Sequence, residues 1–327
     1  MTPSRREARR IIALALPVVA TQLGSMMFGV VDIVMLGHFS TESLSSASLA
    51  RVWLMGTVII ANGLLLGLDP IVSQAFGAGD RRRIGDALQR GIVLALLLSV
   101  PLALLWLFTG RALEGLGASA ELAGPAQDYA LARIPGIPAF LLFIALRAWL
   151  QGRGLMRPAM WVVLGANVFN VIANWALIFG HLGFPELGIV GAGYATSVTQ
   201  IVMLAGLYLF VRAFRLHEGA WSGWSLASCR GFGEVLRFGI PVGLQFGVEI
   251  WAFQIATLMA EKFGVEAIAS HSIVLNLASI SFMVPLGISI GAATRVGNLI
   301  GARRFRDSQR AANVSLVIGC GVMILFA

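Results

Sequence analysis

Two carboxylates stand where water should be scarce. Asp32 lies inside an apolar run over 11–37, and Glu249 follows Pro241 by eight residues inside another over 236–260. A carboxylate in hydrocarbon is costly, so each is expected to face a bundle interior or a water-filled cavity. There it can take up a proton or a cation. Asp32 can instead sit near the outer interface and reach for water, and Glu249 can instead tie two helices together. Asn170 and Asn174 are spaced i, i+4 and share a helix face, with Asn167 extending the stripe. Their carbonyls suit a hard cation or a protonated acid, although asparagines also bond neighbouring helices in membranes. Asp69, just before Pro70, has the spacing for a packing or gating role. Gln74 and Gln245 are weaker polar candidates. Trp53, Phe140, Trp149, Trp161, Trp175, Phe246, Trp251 and Phe253 could stack on flat cations, or serve as lipid-interface anchors and packing.

The elements that position these groups read as membrane helices. The chain has 327 residues, 57% hydrophobic and 12% charged, with a mean hydropathy of +0.83. A soluble domain carries about 25% charged residues. Apolar runs cover 11–37, 52–77, 88–109, 129–150, 159–180, 188–211, 236–260, 273–300 and 311–327, and about 20 such residues cross a bilayer. The first run is too long for a cleaved signal peptide and has no A-x-A site. A net charge of +8 would suggest nucleic acid in a soluble protein, but here the charges mark topology and no nucleic-acid partner is expected. One set of flanks holds Arg5, Arg6, Arg9 and Arg10, then Arg81–Arg83 and Arg90, then Arg147, Arg153 and Arg157. It continues with Arg212, Arg215, Arg230 and Arg237, and ends with Arg295, Arg303, Arg304, Arg306 and Arg310. The opposite flanks hold only Arg51, Arg111, Arg133 and Lys262. This alternation places the N-terminus in the cytoplasm by the positive-inside rule and reads the clusters as solvated loops.

Cys229 and Cys320 form no CxxC, and His38, His181, His217 and His271 lie near span ends with no HExxH-like pair. No cofactor is therefore expected, and an enzyme is disfavoured.

An offset of 224 residues aligns two regions without gaps. Pro17 falls on Pro241, Met35 on Met259, Gly63 and Gly67 on Gly287 and Gly291, and Gly77-Ala78 on Gly301-Ala302. Six spans separate the copies, so the units are parallel repeats, a secondary-transporter design with the substrate path between the halves. The expected organisation is a six-helix lobe over 1–214, a cytoplasmic linker over 215–234 and the start of a second lobe over 235–327. The fold class is then an all-α membrane protein, a two-lobe bundle with about 8–9 of 12 helices present. Two full units amount to about 450 residues, of which this chain is expected to be a part.

The runs LALPVVATQ (14–22), VVDIVMLGHF (30–39), PIVSQAFGAGD (70–80), NVFNVIANWALIFG (167–180) and GIVGAGYAT (188–196) resemble the multidrug and toxic compound extrusion family, in its NorM-like branch. FGIPVGLQFGVEIW (238–251) and PLGISIGAATRVGNLIGA (285–302) extend the resemblance into the second repeat. It implies two lobes around a central cavity in a bacterial cytoplasmic membrane, exporting cationic or amphipathic drugs against inward Na⁺ or H⁺. It also implies that Asp32 binds the coupling cation, with Asn170, Asn174 and the Thr196 hydroxyl lining the cavity beside it. Some relatives carry a second aspartate at Asn174, which leaves the choice of ion open. Glu249 would contribute to Na⁺ or substrate binding with a carboxylate from a later helix, so a Na⁺ ion is expected at Asp32 or Glu249. Asp69 departs from the pattern, since many bacterial relatives are uncharged there. The alternatives are a lipid-linked precursor flippase of the same superfamily, which would line its cavity with Arg or Lys, and an inactive fragment.

Overall fold

A computed structural model describes residues 3–221, 231–261 and 265–326. The described residues form helices and no strand: α1 (Pro3–Phe39), α2 (Thr41–Leu66), α3 (Leu68–Ala78), α4 (Arg81–Trp106), α5 (Thr109–Gly115) and α6 (Ala120–Arg133). They continue as α7 (Gly136–Gly152), α8 (Arg157–Ile178), α9 (Gly188–Ala213), α10 (Phe232–Glu261), α11 (Val265–Gly301) and α12 (Phe305–Phe326). Among the described residues seven helical stretches are long and apolar enough to cross a membrane, with α2 and α3 forming one of them. The pair α6 and α7, bent by 54°, makes an eighth if it is one broken span. Helix α10, 30 residues long, carries the run expected over 236–260.

The helices run past the apolar segments because polar residues cap them. Ser40 is extended, and its side chain accepts from the Ser43 amide at 3.0 Å, so α2 begins well before residue 52. Gly79, at φ +73°, ends α3 in the left-handed conformation that favours glycine. Asp80 then starts α4 by accepting from the Arg83 amide at 3.0 Å. The run expected over 129–150 is not one helix. It breaks at Pro135, whose ring lacks an amide hydrogen and disfavours helix at the residue before it. Of the expected linker, residues 222–230, with Cys229 and Arg230, lie outside the described residues, as does Lys262, and α10 already begins at Phe232. Trp149 is core rather than an interface anchor: it is fully buried and donates from Nε1 to the Ile84 carbonyl at 3.2 Å.

The repeat is expressed in three dimensions as a seal at the arginine-rich end. Gly63 on α2 lies against the backbone of Gly243 on α10, and Gly287 on α11 lies against Val19 on α1. Gly67 meets Gly239, and Gly291 meets Ala15. Gly77 on α3 abuts the Asn298 carbonyl, and Gly301 abuts that of Gln74. Each contact is the image of its twin under the 224-residue offset. A β-carbon at Gly67 would lie 2.6 Å from the Gly239 amide nitrogen, and at Gly77 and Gly301 the clash would be with backbone. Small residues permit this approach, and close packing is what holds helices together in lipid. With its carboxamide nitrogen donating, Asn298 bonds the carbonyls of Ser73 at 2.7 Å and Gly152 at 3.0 Å.

Carboxylates reinforce the seal. Glu7 on α1 receives Arg295 of α11 in a two-bond fork, at 3.0 Å from Nε and 2.9 Å from Nη2. Glu234 on α10 pairs with Arg83 and with Arg90, the latter at 3.3 Å. Arg83, Arg90 and Arg295 are thus bridges between the repeats and not only charges on solvated loops. At the opposite end Phe253, Ile255 and Met259 of α10, and Val274, Leu277 and Ile280 of α11, are exposed.

Gly77→Leu is expected to cost about 1–3 kcal/mol in overpacking, and to lower the melting temperature of the detergent-solubilised protein. Gly165→Leu, at a position where a β-carbon meets nothing within 4 Å, should not. Equal melting of the two variants would show that close approach at the seal contributes no stability.

Candidate functional site

Three helices of the first repeat converge on Asp32. Its helix is drawn onto α8 at Gly24, where an added β-carbon would lie 2.8 Å from Val163. Asn167 fixes this crossing by donating to the Gly24 carbonyl at 2.9 Å and to that of Val163 at 2.8 Å. Asn167 therefore clamps helices and does not extend the polar stripe into the site. Three residues on a helix turn through about 300°, which leaves Asn167 roughly 60° round from Asn170, enough to reach α1 backbone.

One turn further along, Asn170 and Asn174 are both fully buried, and Asp32 retains 4% exposure. Asn174 Nδ2 donates to Asp32 Oδ1 at 2.8 Å and to Asn170 Oδ1 at 3.3 Å. From α9, Thr196 Oγ1 lies 3.1 Å from Asp32 Oδ2 and 3.0 Å from the Ala192 carbonyl, so its one hydrogen serves either acceptor. Asn170 Nδ2 donates in turn to Thr199 Oγ1 at 3.4 Å. Asp32 is thus not near the interface reaching for water: both oxygens lie within hydrogen-bond distance of side chains inside the bundle. The structure brings Asp32, Asn170, Asn174 and Thr196 into one network.

One atom in that network is unsatisfied. Asn174 Oδ1 is buried without a hydrogen-bond partner, next to a carboxylate. An orphaned buried carbonyl is costly, and polar groups in this position are normally paired.

Glu249 stands elsewhere. It lies half-buried on α10, in the second repeat and outside this network. Asp69 occupies the first turn of α3 near the sealed end, with Arg147 of α7 as the charge acting on it. Asp69 Oδ1 and Arg147 Nε are both buried without hydrogen-bond partners. Gln245 is exposed, and Gln74 contributes its backbone carbonyl to the seal.

Sequence reasoning missed the cations beside Asp32. Arg133, in the last turn of α6, and Arg51 on α2 are the cations that act on the carboxylate. The Arg133 guanidinium donates to the Tyr129 hydroxyl at 3.3 Å and lies 5.6 Å from that ring's centroid and 5.9 Å from that of Trp106. Arg51 Nη1 donates to the Gly29 carbonyl at 2.8 Å, on the turn of α1 preceding Asp32. A nearby cation offsets part of the penalty for burying a carboxylate. The available signal was that Arg133 and Arg51 were two of only four basic residues on the sparse flanks. Thr199 carried no signal beyond its position three residues after Thr196. Among the described residues no group of three or more His, Cys, Asp or Glu could hold a metal ion. The site's potential ligands are oxygens of one carboxylate, two carboxamides and hydroxyls, which suit a hard cation.

Known proteins share this architecture. The multidrug resistance protein NorM of Photobacterium profundum is 30% identical over 325 residues, covering 99% of this chain and 71% of that relative. The multidrug and toxin extrusion protein 2 of Mus musculus is 33% identical over 322 residues, covering 98% of this chain and 55% of that relative. Among solved structures, the eukaryotic MATE transporter AtDTX14 matches with a TM-score of 0.88 at 26% identity, over 96% of this chain and 70% of that one. The outward-facing conformation of a multidrug resistance MATE family transporter shares the fold, with a TM-score of 0.84 at 21% identity, over 98% of this chain and 70% of that one. The family model MatE matches residues 17–176 and again 241–327, restarting at the 224-residue offset. With both repeats matched by one family model and the helices superposing on its solved transporters, the chain belongs to the MatE family of multi-pass membrane transporters.

Proposed function

We propose that this protein is a cation-coupled multidrug antiporter that exports cationic or amphipathic compounds across a bacterial cytoplasmic membrane, with Asp32 as its coupling site. The observation that carries the reading is the buried Asp32 network with its orphaned Asn174 carbonyl. The names of the relatives, multidrug resistance and multidrug and toxin extrusion proteins, support the cargo class.

The chemistry turns on one carboxamide. As the structure stands, Asn174 offers its nitrogen to Asp32, the arrangement that satisfies a bare carboxylate. Rotating the amide by half a turn offers the oxygen instead. That orientation accepts a hydrogen from a protonated acid, or supplies an oxygen to a Na⁺ held by Asp32, and it ends the isolation of Oδ1. Proton and Na⁺ therefore exploit the same rotation, with Asn170 and Thr196 as neighbouring oxygens. In the bare state Arg133 and Arg51 offset the carboxylate's charge. Neutralising that charge with a bound cation changes what the two arginines face, and coupling requires that this change favour one lobe arrangement over the other. A ligand can shift an equilibrium only by such a difference.

The arginine-rich end is read as cytoplasmic, on the strength of twenty basic residues there against four on the other flanks. The glycine seal then closes the cytoplasmic side, and the arrangement is outward-open. Alternating access requires the contacts of Gly63, Gly67 and Gly77 and their twins to separate, together with the Glu7–Arg295 and Glu234–Arg83 pairs. Glu249, half-buried on α10, is a second cation or drug contact in this reading.

Asp32→Asn keeps the shape and removes the charge. It is expected to abolish ion-dependent efflux of a fluorescent organic cation from cells while leaving expression and membrane insertion unchanged. Efflux equal to the parent protein's would refute the assignment. Asn174→Ala should weaken the apparent affinity for the coupling ion by about tenfold, the scale of one unmade bond to a buried charged group. Efflux assayed with and without Na⁺ identifies the ion, and unchanged ion dependence in Asn174→Ala would remove the carboxamide from the mechanism. With Cys229 and Cys320 first replaced by Ser, Arg82→Cys should react with an impermeant maleimide only after cells are opened, and labelling in intact cells would invert the topology.

A further inference from the structure

At the arginine-rich end the first turns of α1 and the face of α12 flank an open surface cleft of 680 Å³. Arg5, Arg306 and Arg310 line it, together with Val314, Val317 and Ile318. The valines and isoleucine lie one to two turns further along α12, about 6–12 Å beyond Arg310. The cleft thus grades from cationic to apolar along the direction in which a bilayer grades from headgroup to acyl chain.

The equivalent contact under the 224-residue offset explains why the charge is notable. Between α4 and α10 the fold supplies its own anion, since Glu234 pairs with both Arg83 and Arg90. Under the 224-residue offset the counterpart of Glu234 is Arg10, and the counterparts of Arg83 and Arg90 are Asp307 and Val314. The carboxylates near the second cleft are already engaged. Asp307 is held by Arg304 at 2.7 Å and Arg310 at 3.4 Å, and Glu7 by Arg10 at 3.1 Å and Arg295 at 2.9 Å. Among the described residues neither Arg5 nor Arg306 has a carboxylate partner, and both are exposed. The α4–α10 contact is thus neutralised by a carboxylate of its own, whereas the α1–α12 cleft leaves Arg5 and Arg306 without one beside an apolar wall.

We propose that this cleft binds an anionic phospholipid of the adjoining leaflet. The lipid phosphate sits among Arg5, Arg306 and Arg310, and an acyl chain lies along Val314, Val317 and Ile318. Basic pockets between membrane helices select such headgroups. The lipid bridges α1 of the first repeat and α12 of the second, and so braces the seal from its membrane side. Transport need not occur for the lipid to bind.

The test is native mass spectrometry of the purified chain equilibrated in mixed phosphatidylglycerol and phosphatidylcholine micelles. The parent protein is expected to retain phosphatidylglycerol in preference to phosphatidylcholine. Arg5→Gln, Arg306→Gln and Arg310→Gln combined should reduce that retention at least about tenfold, since each arginine near an anionic surface is worth about fivefold. Arg157→Gln, an exposed arginine at the same end of the helices, should leave it unchanged. A photo-cross-linking residue at Gln309, which also lines the cleft, should capture lipid. Equal retention in the triple variant and the parent would overturn the proposal. So would displacement of the lipid by millimolar inorganic phosphate, which would mark a free-anion site, or capture of polypeptide from Gln309. An unchanged gel-filtration profile for the triple variant shows that loss of lipid is not loss of fold.

Discussion

Helices in lipid gain little by hiding apolar surface from one another, so close backbone approach and hydrogen bonding must hold them. In this chain the approach between repeats is concentrated at one end. Gly63, Gly67 and Gly77 meet α10 and α11 there, and their twins Gly287, Gly291 and Gly301 meet α1 and α3. Because each contact has a twin, the two repeats close on each other about an approximate two-fold relation. Large side chains such as Phe253 and Leu277 stay exposed toward the other end. A seal built from backbone contact buries few long side chains, so the two repeats meet there without interlocking.

The same restriction shapes the polar interior. A carboxylate among membrane helices has to be satisfied by the helices themselves. Asp32 obtains its two donors from α8 and α9, and the charges of Arg133 and Arg51 from α6 and α2. The break at Pro135 ends α6 immediately after Arg133. A straight helix across 120–152 would carry that guanidinium on a different path, so the bend and the site are connected. The network satisfies both carboxylate oxygens yet strands Asn174 Oδ1. The site is thus supplied with donors at the carboxylate and short of a partner at the amide oxygen.

Seal and site lie at different depths on α1. Glu7, Ala15 and Val19 engage α11 near its start, and Asp32 engages α8 and α9 near its end. Pro17 lies between them, and Thr21 donates to its carbonyl at 2.7 Å. One helix thus carries both the contact between repeats and the buried Asp32, so a change of charge at Asp32 falls on the element that the seal also uses.

The amino-acid sequence by itself determined the apolar runs, the 224-residue repeat and the intramembrane position of Asp32, because hydrophobicity and self-similarity are properties of the chain order. Spacing also put Asn170 and Asn174 on one face, since a helix returns after about four residues. Which face meets which neighbour was not readable in that way. It placed Asn167 with the site although it clamps α1, counted Arg133 as a flanking charge although it acts on Asp32, and treated Arg83, Arg90 and Arg295 as loop charges although they bridge the repeats. Periodicity fixes where a side chain lies around its own helix, but not how that helix is rotated or where it bends. Those depend on the glycine contacts and the break at Pro135, which only the packed tertiary structure decides.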